Sequence, residues 1–176
     1  MKVEDFILKL KANTPSIVNY INNGYSEKLA IKAVSTYNVE KTKGESNYND
    51  ELLKLVDCFS AKNLEIGIVK FYENIIEADD YFIVGEVEAD WLVVDKLTGI
   101  TRVIELHSAE NLWDCAANGS RFLDAVLEVK LYITKSSLDE NLLNQKITCL
   151  VAEECSTIAG GEQFLDFYKM LLGCFE

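Results

Sequence analysis

His107 is the only histidine in a chain of 176 residues, and this limits the chemistry the chain can offer. A lone imidazole cannot build a two-histidine metal site. Cys115, eight residues on, is a poor zinc partner at that spacing. A cysteine hydrolase needs a thiol activated by a base. Cys115 and His107 are the only conceivable pair, and Cys115 sits in the apolar-leaning run WDCAA. Cys149 and Cys155 are six residues apart, which places them on different faces of a helix rather than together as a zinc or redox pair. Gly160-Gly161 lacks the setting of a phosphate loop and is followed by Glu162, so it reads as a helix break. Carboxylates are so abundant that a pair suited to glycoside chemistry arises by chance. The expectation is no catalytic residue, no metal ligand and no cofactor.

The remaining signal is charge. With 29 acids and 17 bases, the formal net charge is −12. An acidic chain repels phosphate backbones, so nucleic-acid binding is disfavoured. The acids are concentrated: Glu73, Glu77, Asp79, Asp80, Glu86, Glu88, Asp90 and Asp95 occupy one stretch that contains no base. Such a run is either a solvated face that aids solubility or a docking surface for a basic partner. On the second reading the partner-binding residues are Glu77, Asp79, Asp80, Glu86, Glu88, Asp90 and Trp91. Trp91 and Trp113 both suit interface anchors and both suit core packing. Trp91, directly after the acidic run, is the better anchor.

The elements that position these residues run from Tyr81 to Leu127. Tyr81–Val84 is a short apolar, β-branched run interrupted by Gly85. Glu86–Asp90 alternates, with its charges on one face. Trp91–Val94 is a second strand, Asp95–Gly99 a turn in which Asp bonds its own downstream backbone, and Ile100–Leu106 a third strand. Upstream, Leu64–Phe71 alternates well enough to be the first strand, Tyr72–Ile76 either extends it or stands alone, and residues 77–80 turn into Tyr81. Residues 108–118 read as a crossing loop, and Ser120 caps a helix carrying Phe122, Leu123, Val126 and Leu127.

Four helices are expected before the sheet. The first carries Val3, Phe6, Ile7 and Leu10 on one stripe. Ser16–Ile21 is the second, and Ser26 caps a third with Leu29, Ala30, Ala33, Val34 and Tyr37 inward. After a polar loop over 38–49, a fourth runs from Asn49 or Asp50 to Phe59. Past a break at Lys135-Ser136-Ser137, a helix over Leu138–Cys155 turns Leu142, Leu143, Ile147, Leu150 and Val151 inward. A last helix, Glu162–Leu172, presents Phe164, Leu165, Tyr168 and Leu172.

Helices, then antiparallel strands, then helices define an α+β fold. The expected architecture is one domain over 1–176, with N-terminal helices (1–60), a central antiparallel meander of about four to five strands (61–107), and C-terminal helices on one side (108–176). The N-terminal stretch has acids within its apolar run and no small-residue cleavage site, so no signal peptide is expected. No stretch reaches the ~18 apolar residues of a membrane span. A cytoplasmic protein that does not engage membrane is expected, with its five cysteines reduced and mostly buried.

This pattern resembles the SUKH superfamily, typified by fungal cell-wall-assembly regulators and bacterial immunity proteins. The resembling residues are the strand at Ile68-Val69-Lys70-Phe71, YFIVG at 81–85, DWLVVD at 90–95, the turn Leu97-Thr98-Gly99, and the helix signature Ser120-Arg121-Phe122-Leu123. The link Glu86–Asp90 is acidic where the family often has a shorter, glycine-rich one. The resemblance implies a binding scaffold without a common active site, and more narrowly an immunity protein that binds and neutralises a cognate toxin. Many nuclease toxins are basic because they hold phosphate, so an acidic face would steer association and cover the site. Two other readings stand beside it: an adaptor for a cellular protein, and a metal-dependent enzyme built on the acidic cluster, for which Asp79 and Asp80 would hold a divalent cation.

Overall fold

The computed structural model describes residues 1–174, apart from the side chain of Glu140. Phe175 and Glu176, the end of the expected 108–176 segment, lie outside the described residues. The fold is α+β: N-terminal helices, one antiparallel sheet, C-terminal helices.

Three of the four N-terminal helices start where a short polar residue satisfies a free backbone N–H group, the first being the exception. Helix α1 (Val3–Ala12) buries Val3, Phe6, Ile7 and Leu10, as the stripe predicts. Helices α2 (Ile17–Asn22) and α3 (Glu27–Ser35) follow Ser16 and Ser26, whose hydroxyls accept from the Asn19 and Leu29 amides. This hairpin packs mainly on itself, which is why Leu29, expected inward, is 55% exposed. Helix α4 (Glu51–Cys58) is capped by Asp50, whose Oδ1 accepts from Leu52 N at 2.9 Å and Leu53 N at 3.2 Å. The second oxygen of Asp50 accepts from Gly119 N at 2.9 Å, so one carboxylate caps two helices. A Cβ at Gly119 would lie 2.0 Å from Asp50 Oδ1, and only glycine admits the approach.

The sheet has six strands in sequential order, one or two more than the meander expected from the sequence. The expected first strand over 64–71 is split by a tight turn at Gly67-Ile68 into β1 (Glu65–Ile66) and β2 (Val69–Glu77). β2 absorbs the ambiguous Tyr72–Ile76 through an irregularity between Phe71 and Ile76. β3 (Tyr81–Val87) and β4 (Asp90–Asp95) pair through the two-residue turn Glu88-Ala89. Gly85 lies inside β3 at a bulge, where a Cβ would sit 2.1 Å from Lys70 O. β5 (Thr101–Ile104) follows a turn in which Asp95 Oδ1 accepts from Leu97 N at 3.0 Å and Thr98 N at 2.7 Å, as its sequence implies. β6 (Asn111–Ala116) lies within the expected crossing loop. Two register shifts against β5 spoil the alternation by which a strand is recognised in sequence.

Helix α5 (Gly119–Leu138) crosses the helical side of the sheet. Asn118 rather than Ser120 caps it, accepting from Arg121 N at 3.0 Å, while Ser120 Oγ donates to Met1 O. The expected break at 135–137 is absent: the helix runs through it, with the Ser136 and Ser137 hydroxyls donating to the Ile133 and Thr134 carbonyls of the preceding turn. The following helix, α6 (Gln145–Ala159), starts seven residues later than expected, capped by Asn144. It turns Thr148, Ala152, Cys155, Ser156 and Ala159 inward. Leu143 and Leu150, expected in the core, are 66% and 55% exposed. A face of small side chains lets α6 lie close to α5, with Cys155 Sγ 3.6 Å from Ala125 O. Gly160-Gly161 ends α6 as predicted, and α7 (Leu165–Leu172) buries Phe167, Tyr168 and Leu171.

The main core lies between the helices and one face of the sheet. A smaller cluster of Ile83, Val93 and Ile104 sits on the opposite face beneath Tyr72, Tyr81 and Trp91. One charge is embedded in the helical layer. Lys130 on α5 is fully buried; its Nζ donates to Asn13 O at 2.6 Å and lies 4.9 Å from the Tyr37 ring centre. Burial alone pushes its amine down from 10.5 to about 8.

Candidate functional site

The sheet separates the acidic run into two groups. Glu77, Asp79 and Asp80 lie at the β2–β3 turn, beside the β4–β5 turn, where Lys96 N donates to Asp80 O. Glu86, Glu88, Asp90 and Trp91 lie at the other end, at the β3–β4 turn. The length of β3 between them corresponds to about 20 Å at ~3.3 Å per residue. The seven residues proposed from sequence therefore do not form one patch.

Neighbouring strands and turns also supply cations. Glu73 pairs with Lys62, Glu77 with Lys96, Glu86 with Lys70 and Asp95 with Arg102, at 2.9, 2.7, 3.4 and 2.6 Å. The stretch without a base in sequence is half neutralised by bases outside it or at its end. Asp95 feels burial, which pushes its carboxyl up. Hydrogen bonds from Thr98, the Arg102 charge and the Leu97 amide outweigh that and hold it below the usual range. Among the described residues, Asp79, Asp80, Glu88 and Asp90 make no ion pair.

Two of these unpaired acids border a cleft. Glu88 and Asp90 stand at the edge of a depression of about 400 Å³ whose floor is Ile68, Val87 and Trp113 and whose far wall is the last turn of α7, Met170–Gly173. Glu88 occupies the first turn position with φ 56°, a left-handed conformation that glycine adopts more readily. Asp90 Oδ1 accepts from Leu106 N at 3.2 Å, which ties this turn to the β5–β6 loop. Within that loop, Glu105 accepts from the His107 and Ser108 amides, and the Ser108 N–H and hydroxyl hold its carboxyl below the ordinary range. Glu105 and Glu110 add further negative charge at this end of the sheet. The result is a cleft of mixed lining, apolar at Ile68, Val87 and Trp113 and anionic at Glu88 and Asp90, suited to a side chain or segment that is apolar along its length and cationic at its tip.

Trp91 does not reach this cleft. It stands opposite Ile104 in the ladder, half-buried in the small cluster on the other face of the sheet. Trp113 pairs with Val103 on the helical face and lines the cleft instead. The sequence singles out both tryptophans but favours the other one. Ile68 and Met170–Gly173 carry no local signal for a site, because about a hundred residues separate them in the chain.

The remaining candidates stay apart. His107 is exposed in the β5–β6 loop, whereas Cys115 is fully buried, its thiol pushed well up by burial and by Asp114. A thiol shifted in that direction is poorly nucleophilic at neutral pH. Among the described residues, no group of three or more His, Cys, Asp or Glu is placed to hold a metal ion. The expectation of five reduced cysteines is corrected. Cys149 is joined by a disulfide to Cys174, because the α6–α7 hairpin brings residues 25 apart in sequence to a Cα separation of 5.4 Å. Cys58, Cys115 and Cys155 are free and buried. Among the described residues, no helix is long and apolar enough to cross a membrane.

Comparison with known proteins adds no relative: no family model, no curated protein and no solved structure matches the chain.

Proposed function

We propose that this protein is a non-catalytic binding module of the SUKH kind, an immunity protein that binds and neutralises a basic, nuclease-type toxin domain. The observation that carries the reading is the cleft between the β3–β4 turn and α7, with Trp113 on its floor and the unpaired Glu88 and Asp90 on its rim. Desolvated aromatic side chains supply interface energy, and rim charges raise association rates and select a partner of opposite sign. A phosphate-handling toxin presents lysines and arginines around its own site. Seating them here would cover that site without any chemistry by this chain.

The test is co-expression with the product of the adjacent gene, followed by purification at low and high salt. A complex that forms tightly, weakens with salt and protects cells from the toxin supports the reading. Trp113→Ala should slow nothing but raise the dissociation rate, and Glu88→Lys should mainly reduce the association rate at low salt. Recovery of a housekeeping protein instead would favour an adaptor. If the toxin bound both variants as tightly as the unmodified protein, this cleft would not be its site.

A further inference from the structure

The cleft wall formed by Met170–Gly173 is fastened covalently at its end. Cys174 follows Gly173 directly and is bonded to Cys149 on α6. Among the described residues, the backbone bonds that close this last turn lie within α7 and its cap: Gly173 takes the left-handed conformation (φ 71°), Cys174 N donates to Lys169 O at 2.8 Å, and Gly173 N donates to Met170 O at 3.2 Å. Burial of Leu171 in the main core also holds this turn, and the earlier residues of α7 are anchored by burial of Phe167 and by the Tyr168 hydroxyl, which donates to Cys115 O at 3.0 Å. The two sulfurs also differ in access. Cys149 is half-buried on α6, whereas Cys174 is 2% exposed. Cys58, Cys115 and Cys155 are all buried, which leaves the bonded pair as the sulfur open to exchange.

We infer that Cys149–Cys174 is a redox latch on the cleft: the oxidised pair holds the Met170–Gly173 wall in place for a partner, and reduction by a small dithiol frees the wall and weakens binding. The inference rests on the reading of the cleft as the partner site. In the first step a thiolate of the dithiol attacks the accessible Cys149 sulfur. This forms a mixed disulfide and expels the Cys174 thiolate, which takes a proton from water. The second thiol of the reagent then closes its own disulfide and releases Cys149 as a thiol. Two electrons pass from the dithiol to the protein, and the reverse reaction with an oxidised dithiol restores the latch.

The experiment uses the full chain carrying Trp91→Phe, so that Trp113 is the sole tryptophan, with and without dithiothreitol. Amide exchange is read by mass spectrometry alongside Trp113 emission. The expected result is at least tenfold faster exchange over 169–173 and a red shift of Trp113, with exchange in β3–β5 unchanged. The double variant Cys149→Ser/Cys174→Ser should reproduce both effects without reductant. Unchanged exchange and emission would overturn the latch, because the turn would hold itself. Loss of protection throughout the chain would also overturn it, because the bond would then be a staple of the whole fold. A separate arm measures the co-expressed toxin domain against the oxidised and reduced unmodified protein. Affinity at least tenfold weaker on reduction supports the latch, and equal affinity overturns it. Absence of binding in both states, with the exchange result intact, would sink the toxin reading and leave the coupling of disulfide to cleft standing.

Discussion

Replacing Lys130 by Met should stabilise the protein at neutral pH, and the gain should vanish as the pH rises. Lys130 is buried without an acidic partner among its described contacts, and its amine is held down from 10.5 to about 8. The unfolded chain therefore binds a proton that the folded chain resists. Stability is lowest while the folded amine is charged, below about pH 8, and rises as the pH moves toward 10. From these two values the penalty at pH 7 is about 3 kcal/mol, of which ~2 kcal/mol has gone by pH 10. Met keeps the aliphatic length and removes the charge. It also removes the bond to Asn13 O, which returns about 1 kcal/mol. The net expectation is a variant more stable by about 2 kcal/mol at pH 7, with an advantage that shrinks to near zero by about pH 10. The assay is urea unfolding of both proteins at a series of pH values from 7 to 10, plotted as a difference. Taking the difference matters, because the buried thiols of Cys115 and Cys155 and the raised Tyr168 titrate with the opposite sign in both proteins alike. A difference that does not change with pH would refute the argument from burial. A variant less stable at pH 7 would show that the Tyr37 ring and Asn13 carbonyl fully compensate the charge.

Two further outcomes follow from the same geometry. Asp50→Ala removes the cap of α4 and the bond to the first amide of α5, leaving the Asn118 cap in place, and should cost about 2 kcal/mol in denaturant unfolding, roughly twice the loss of one ordinary cap; a loss under half of that would mean the bond to Gly119 adds nothing. Asp95→Asn should flatten the acid limb of the stability curve. The carboxylate, held low despite burial, contributes stability above its unfolded pKa, and the wild type should lose it as the pH falls below about 4 while the variant does not.

Local chemistry carried much of the fold into view. The stripe of α1 is legible because Val3, Phe6, Ile7 and Leu10 face one core at helical spacing, and all four are buried. The turn from Asp95 to Gly99 is legible because an aspartate folds onto its own downstream amides. What failed to show depended on partners remote in sequence. β6 hides because its two bulges break the alternation of its side chains. The inward face of α6 hides because close helix packing prefers Thr148, Ala152 and Ser156 over the more apolar Leu150.

The candidate site divides along the same line. Composition and order along the chain determined an acidic, mixed α+β protein with a concentration of carboxylates in its central strands. Folding decided which of them stand without a counter-charge, because Lys62, Lys70, Lys96 and Arg102 pair with four of the eight across neighbouring strands, turns and a helical turn. Strand direction decided that the acids gather at two ends of the sheet, and helix return decided that α7 and its disulfide stand beside one of them. Charge and propensity are properties of short stretches and can be read in order. A cleft needs surfaces that meet only after the long-range burial of the core has set the distance between them.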